Sequence, residues 1–305
     1  MTRTGKLLMI VILLCVLIVS YVLIADFENI MAKVTNFVMN IAEPEIIIPE
    51  TNKYKKDFVF ETVKETNNFD PKNINDVMDI YYTALNNGWD EFTFYCHEDY
   101  PTCADDVKLI AEDSDFIVLI NNYVNPYNSY TKYNTFISGD REIHLTVEKL
   151  YTNEEIEKIN AEIDRIFNEL KINTENPTKE DIKKLHNYLI KNTTYDDNYD
   201  PNNRTESSKA GGALFNKIAL CSGYTDALAI MLDKLNIPNF KISTEEHVWN
   251  VVYFEDKWTH IDATWDDDEV NKDNYYNFFM IDTDTLLGLD IEEHLYDSSL
   301  YLELK

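Results

Sequence analysis

Three residue types that can together attack a carbonyl carbon occur in order within residues 220–268. Cys221 begins a helical pattern, His247 begins a strand pattern, and Asp262 lies near the end of the next strand pattern. A thiol nucleophile needs a base to take its proton, and the base needs a group that orients it. A cysteine, a histidine and an aspartate can supply these three functions, so they are the candidate catalytic groups.

Cys221 is expected at the N-terminus of a helix. The residues that follow at helical spacing are Tyr224, Ala227, Leu228, Met231, Leu232 and Leu235. Unpaired N–H groups and the helix dipole favour a thiolate there. The alternative is a buried apolar cysteine. The adjacent Ser222-Gly223 argues against burial, because a glycine lets a substrate or another backbone come close.

A predicted hairpin brings His247 and Asp262 to one face of a sheet. Its strands are residues 247–254 and 258–265, joined by Glu255-Asp256. In that register Asp262 lies diagonally across from His247, where Cβ atoms are roughly 7–8 Å apart. A hydrogen bond between an imidazole and a carboxylate can bridge this distance.

Two other histidines compete with His247 for the role of base. His260 lies on the same predicted face but nearer the hairpin turn, farther from any helix start. His186 lies on a helix that begins with the capping-box pattern Thr178-Lys-Glu-Asp181. We expect His186 to be half exposed and structural.

Three short motifs in this order resemble the transglutaminase-like superfamily, thiol enzymes with a papain-type core. The motifs are Cys221-Ser-Gly-Tyr224, His247-Val-Trp-Asn250 and Asp262-Ala-Thr-Trp265. Residues 186–192 and 213–217 are also similar to bacterial members, so the resemblance covers residues 178–268. There are two departures: a short link between the cysteine helix and the histidine strand, and Ala219-Leu220 before the cysteine, where small-then-Val is more usual.

The resemblance implies roles and a reaction. Cys221 would be the nucleophile, His247 the general base and Asp262 the orienting carboxylate. The thiolate would attack an amide of a protein or peptide, and water or an amine would resolve the thioester. Substrate contacts are expected at Tyr224, Trp249 and Trp265, although core packing explains the two tryptophans equally well. Two alternatives are a cysteine peptidase that never transfers to amines and a catalytically silent cell-envelope interaction module.

No cofactor or metal is expected. The acidic run at residues 266–269 could bind calcium, which animal transglutaminases need, but it lacks a liganding pattern such as the EF-hand loop. Residues 97–99 lie beside Cys96 and Cys103, but no second ligand pair has metal spacing. We expect those two cysteines to form a disulfide, which would leave Cys221 as the unpaired external thiol.

The N-terminus predicts a membrane anchor. Leu7 to Ala25 is an uncharged run of nineteen residues, long enough to span a bilayer as a helix. Arg3 and Lys6 precede it, so the N-terminus is expected in the cytoplasm and the rest outside the cell membrane. A cleaved signal peptide is the alternative, but its apolar core is usually shorter.

The charge of the chain limits its partners. The net charge of −28 argues against binding nucleic acid through phosphates and against lying on an anionic membrane surface. It favours a neutral or basic substrate.

The predicted fold is α+β with four parts: an anchor (residues 1–26, transmembrane helix 7–25), a spacer (27–56), an α+β domain (57–172) and a transglutaminase-like catalytic domain (173–305) with an antiparallel, papain-type sheet. In the α+β domain, strand-like runs cover 58–63, 91–96, 116–124, 131–137 and 142–151. Helices are expected after Asn73 and after the capping-box pattern at Thr152.

Overall fold

The computed structural model describes residues 45–139, 141–198, 206–267 and 276–305, together with Phe27, Ile30, Met31, Lys33 and Val34. The predicted transmembrane helix at residues 7–25 lies outside the described residues. Within the described part, none of the helices has the length and apolar character needed to cross a membrane.

The first half of the described chain combines four helices with a three-stranded sheet. In chain order the elements are α1 (Ile74–Asn86), β1 (Glu91–Tyr95), α2 (Cys103–Glu112), α3 (Ser114–Asn122), β2 (Tyr130–Ser138), β3 (Glu142–Lys149) and α4 (Asn153–Leu170). The strands are antiparallel in the order β1-β3-β2. Cys96 forms a disulfide with Cys103, the first residue of α2.

The second half of the described chain contains four α-helices and two further sheets. In chain order the elements are α5 (Lys179–Asn192), β4 (Thr194–Tyr195), β5 (Ile218–Ala219), α6 (Cys221–Lys234), β6 (Asn239–Ser243), β7 (Val248–Phe254), β8 (Lys257–Ile261), α7 (Ala263–Asp266), β9 (Phe279–Ile281) and α8 (Thr283–Gly288). One sheet is four-stranded and antiparallel in the order β6-β7-β8-β9, and the other is the short parallel pair β4-β5. These antiparallel sheets and helices confirm the α+β fold class.

The predicted hairpin has the expected register. Phe254 pairs with Lys257, and Val251 pairs with His260. Glu255 and Asp256 both have positive φ, 50° and 61°. Two such residues in a two-residue loop match the twist of the flanking strands.

The predicted helix starts occur where their capping residues lie. The Asn73 side chain accepts hydrogen bonds from the first turn of α1. Thr152 and Glu155 form a capping box at α4, and Thr178 with Asp181 forms another at α5. These caps satisfy N–H groups that have no partner within the helix.

Residues 116–124 are not the strand that the sequence predicts, because they lie mostly in α3. The Asp113 side chain caps this helix by accepting from the N–H groups of Asp115 and Phe116. Phe116 and Ile120, four residues apart, face the core. A short apolar run fits a buried strand and a helix equally well, so the local cap decides the outcome.

Two other predicted strands are also corrected. The run at residues 58–63 forms no sheet, since the N–H groups of Glu61 and Thr62 donate to the Glu303 carboxylate at 2.7 and 3.0 Å. The strand predicted to end at residue 265 ends at Ile261, because the Asp262 side chain caps α7.

Two hydrophobic clusters form the core of the described residues. The first joins the three-stranded and the four-stranded sheets, and within it the Phe240 ring stacks on Tyr123 at 4.7 Å and on Tyr301 at 5.9 Å. The second surrounds α4, α5 and α6. Both clusters contain residues from either side of position 172, and the domain boundary there stays a prediction.

Candidate active site

Cys221 is the first residue of α6. The preceding residue, Leu220, provides no side-chain cap, so the first N–H groups of α6 have no side-chain acceptor from that position. Cys221 is half-buried and is a free thiol. It thus combines access with the electropositive end of a helix, as the sequence predicts.

Gly223 fixes how α6 begins. A Cβ at this position would lie 2.5 Å from the backbone oxygen of Ser207 and 2.9 Å from that of Lys209. Because Gly223 has no side chain, the backbone of residues 207–209 can pack closely against the start of α6. The N–H of Leu220 donates to the Ser207 oxygen at 2.8 Å and ties the same segment to the residue before Cys221.

His247 lies just before β7 and interacts with both other members of the candidate triad. Its Nε2 is 2.5 Å from Asp262 Oδ2. Cys221 also raises the pKa of His247. Because Nε2 is engaged by the carboxylate, Nδ1 is the ring nitrogen left for the thiol.

Asp262 connects the sheet to α7. Its Oδ1 accepts from the N–H groups of Thr264 at 2.9 Å and Trp265 at 3.1 Å. Its Oδ2 accepts from His247 and also from His294 Nε2, at 2.9 Å. All four contacts hold the carboxylate in one orientation, and this is the function expected of the third member of a triad.

Electrostatics favour a charged pair of His247 and Asp262. Burial alone lowers the pKa of His247, but the Asp262 carboxylate and Cys221 outweigh this and raise that pKa to about 10. Burial alone raises the pKa of Asp262, but the charge and hydrogen bond of His247 and the bond from His294 lower it to about 2. An imidazolium next to the thiol is the partner that a thiolate needs.

His294 and Tyr195 interact with the candidate triad but were not predicted from the sequence. His294 lies in the turn Glu292–His294, in a stretch without a recognisable motif, so no sequence signal pointed to it. Tyr195 on β4 is 41% exposed, and burial followed by the charge of Cys221 raises its pKa. Tyr195 pairs with Ala219, two residues before Cys221, so it lies at an exposed edge near the thiol.

A metal ion would compete with hydrogen bonds that already exist. Donor atoms of His247, Asp262 and His294 lie within 4.8 Å of one another, a set that could hold a metal among the described residues. Both imidazole Nε2 atoms already lie at hydrogen-bond distance from Asp262 Oδ2. The contacts fit a carboxylate that orients two rings, and the absence of a metal stays a prediction.

His260 has a separate set of partners. The Trp249 indole N–H donates to its Nδ1 at 3.1 Å, and its Nε2 lies 3.1 Å from the Thr283 hydroxyl. An indole nitrogen only donates, so Nδ1 carries no proton. Burial, followed by the charge of His294, lowers the pKa of His260 to about 4. These contacts make His260 a neutral structural residue.

His186 is fully buried, and the expectation of half exposure is wrong. Its Nε2 lies 3.0 Å from Asp266 Oδ2, and its ring packs 5.0 Å from Phe279. Burial raises the pKa of Asp266, and His186 partly offsets this. The pair links α5 to α7, the helix that Asp262 caps.

The three aromatic residues expected to contact substrate differ in exposure. Tyr224 and Trp249 are 1% and 0% exposed, so the expectation that they contact substrate is corrected to core packing. The Tyr224 hydroxyl donates to Asp267, and the Trp249 ring stacks on His247 at 5.7 Å. Trp265 is half-buried with its ring 6.3 Å from His247, so it can wall the site.

The acidic run considered for calcium is only partly described. Asp266 pairs with His186 and accepts from the N–H of Phe278, while Asp267 accepts from Tyr224. Residues 268 and 269 lie outside the described residues. The two described carboxylates thus have structural partners.

Comparison with known families supports the motif assignment. Residues 165–263 match a family model described as the transglutaminase-like superfamily. The chain contains a transglutaminase-like superfamily domain. Cys221, His247 and Asp262 all fall within the matched range, whereas His294 lies outside it.

Two solved structures share limited similarity with the chain. One, described as "Crystal structure of a TGase", is 17% identical, with a TM-score of 0.33 over 45% of this chain and 44% of that one. Another, described as a "Putative Cysteine Protease from Cytophaga hutchinsonii", is 11% identical, with a TM-score of 0.28 over 44% of this chain and 61% of that one. The chain thus covers less than two thirds of either protein. No curated protein matches it.

Proposed function

We propose that this protein is a thiol enzyme that acts on amide bonds of proteins or peptides, with Cys221 as nucleophile, His247 as general base and Asp262 as orienting carboxylate. The observation that carries the proposal is that His247 bonds to Asp262 through Nε2 and interacts with Cys221, which raises the pKa of His247. The match to the transglutaminase-like superfamily supports the same class of chemistry.

The first step forms a thioester. The Cys221 thiolate attacks the amide carbonyl, so a C–S bond forms as the C–N bond breaks, and the departing amine takes a proton from His247. N–H groups at the start of α6 can stabilise the negative charge that develops on the carbonyl oxygen. Asp262 keeps the imidazolium oriented throughout this step.

The second step releases the acyl group. Water or a primary amine attacks the thioester and gives up a proton to His247, and the C–S bond breaks to regenerate the thiolate. Water gives hydrolysis, as proteolysis or deamidation, whereas an amine gives transfer and a new amide bond.

We also propose a cellular location for the catalytic domain. The uncharged run at residues 7–25 and the basic residues before it support a single-pass anchor with the catalytic domain outside the membrane. Protease treatment of intact cells tests this orientation, because an external domain is digested whereas a cytoplasmic one is protected.

The activity is tested with full-length protein in a mild detergent, a glutamine-rich unfolded protein and a fluorescent primary amine. Amine incorporation reports transfer, ammonia release without added amine reports deamidation, and new N-termini report proteolysis. We expect at least one activity in the wild type and none in Cys221→Ala.

Two outcomes assign the alternatives. New N-termini without amine incorporation indicate a cysteine peptidase. The absence of every product and of any acyl-enzyme mass at Cys221 contradicts catalysis and leaves a silent interaction module, whose cellular phenotype Cys221→Ala would not change.

A further inference from the structure

The turn Glu292–His294 contacts the candidate site from outside the matched family domain. The match ends at residue 263, and this turn lies about thirty residues later, after α8. The turn makes two separate contacts. One is with Asp262, which orients the base, and the other is with the loop that precedes His247, the base.

The first contact is between His294 and Asp262. His294 is 1% exposed, and its Nε2 lies 2.9 Å from Asp262 Oδ2, the oxygen that His247 also contacts. The ring packs against Trp249 at 5.0 Å, Trp265 at 5.1 Å and Phe278 at 5.2 Å.

The second ring nitrogen of His294, Nδ1, indicates the role of this residue. Nδ1 is buried and has no hydrogen-bond partner among the described residues. A buried polar atom without a partner is costly, and an aromatic hydrocarbon would pack against the same rings without that cost. Among the described residues, the one polar contact of this imidazole is therefore the one to Asp262.

The second contact joins the same turn to the loop before His247. The Thr244 hydroxyl lies 3.2 Å from the backbone oxygen of Glu293 and accepts from the N–H of His247 at 3.1 Å. The N–H of Thr244 donates to the His247 oxygen at 2.8 Å. Glu293 and His294 thus restrain both His247 and Asp262.

We propose that the turn Glu292–His294 acts as a clamp in which His294 is a positioning residue that shares the Asp262 carboxylate with His247. This role rests on the proposed function, because it concerns the orientation of the proposed base. His294 does not touch the reacting atoms. It restricts the carboxylate to the rotamer in which Oδ2 meets His247.

The test uses full-length protein with two substitutions at one position. His294→Phe keeps an aromatic ring but removes the N–H donor, while His294→Gln keeps a donor. His97→Phe is the matched control, because His97 is distant from His294 in sequence and its side chain is 45% exposed. The readouts are the melting temperature, the imidazole N–H resonances of ¹⁵N-histidine-labelled protein, and the pH profile of Cys221 alkylation.

We expect the Nε2–H protons of His247 and His294 to be exchange-protected in the wild type, in addition to protons of the buried His186 and His260 rings. His294→Phe removes the His294 proton and shifts the His247 proton, because both bind one oxygen. Alkylation at neutral pH slows roughly tenfold, as for the loss of one hydrogen bond to a charged group. The acid limb of the profile moves to higher pH, because Asp262 loses a donor that favours its charged form. His294→Gln recovers most of the rate, and His97→Phe changes nothing.

A folded His294→Phe protein with the wild-type rate, profile and His247 resonance overturns the clamp. If His294→Phe does not fold, Asp262→Asn decides, because the His247 and His294 Nε2–H protons must then both shift, and a shift of one alone overturns the proposal. In Cys221→Ala both protons remain. An inert wild-type thiol with both resonances responding contradicts the proposed function while leaving the clamp intact.

Discussion

Asp262 is the residue on which the site depends most. One side-chain oxygen starts α7 and the other orients His247 and His294, so a single buried carboxylate sets the position of a helix and of a base. The lowered pKa of Asp262 means that these contacts persist to acidic pH. Burial keeps His260, only two residues earlier, neutral, whereas Asp262 stays charged.

His260 should make stability depend on pH. Its pKa falls from 6.5 to about 4 on folding, so the unfolded chain binds more protons between these values and unfolding is favoured as pH falls. The loss amounts to about 3 kcal/mol between pH 6.5 and 4, at 1.36 kcal/mol per pH unit. Urea unfolding of wild type and His260→Gln across this range measures it.

The comparison with His260→Gln separates this effect from other titrations. We expect the two free energies of unfolding to converge as pH falls. Only the wild type has an imidazole at position 260 that takes up a proton on unfolding. His247 contributes in the other direction, since its raised pKa gives stability below pH 6.5 that is lost as pH rises through about 10. Parallel curves below pH 6.5 contradict the assignment of His260.

At the scale of elements, local signals predicted what local interactions determine. Capping side chains located the starts of α1, α4 and α5, and the two-residue hairpin loop set the register of β7 and β8. The strand predicted at residues 116–124 was wrong because apolar composition does not separate a short strand from a buried helix.

The parts of the site that the sequence did not predict depend on contacts between distant segments. Asp262 and His294 are 32 residues apart, and nothing in either local pattern specifies their approach. The burial of His186 depends likewise on Asp266, a residue of another helix. A motif identifies residues from their local sequence. Partners such as His294 and Asp266 are identified only from the tertiary fold.

The start of α6 should not tolerate a side chain at position 223. In Gly223→Ala the new Cβ would meet two backbone oxygens, which cannot move as a flexible side chain would. We expect a loss of about 1–3 kcal/mol in the free energy of unfolding, with slower alkylation of the neighbouring Cys221. Chemical denaturation and the alkylation rate measure the two effects.

Gly288 provides the matched control. A Cβ there meets nothing within 4 Å, and Gly288 is not among the positive-φ glycines. Gly288→Ala should be neutral or stabilise the protein by up to ~1 kcal/mol. Equal losses for both variants contradict the packing explanation.

At the scale of the whole molecule, the C-terminal segment joins the two halves of the described chain. The Glu303 carboxylate accepts from both N–H groups of Glu61 and Thr62 and from the hydroxyls of Thr62 and Tyr123, at 2.6–3.0 Å. The ring of Tyr301 stacks nearby on Tyr123 and Phe240. The same segment carries the clamp turn, so global stability and the site share one element.

Removing the Glu303 carboxylate should therefore destabilise the whole fold. Glu303→Ala leaves four donors without their acceptor, and we expect a loss of about 2–4 kcal/mol in the free energy of unfolding. The exposed Glu292→Ala is the control and should stay within ~0.5 kcal/mol of the wild type. A Glu303→Ala protein as stable as the control contradicts this account of the C-terminal segment.

The most direct measurement of the central claim is the alkylation rate of Cys221 as a function of pH, read by mass spectrometry of its peptide in wild-type and His247→Ala protein. A thiolate beside an imidazolium predicts rapid alkylation that persists below pH 7 in the wild type. At pH 6, His247→Ala should be slower by roughly 100-fold, as for a thiol that ionises near pH 8.5. An identical profile for the two proteins, rising only above about pH 8, would contradict the catalytic role of this site.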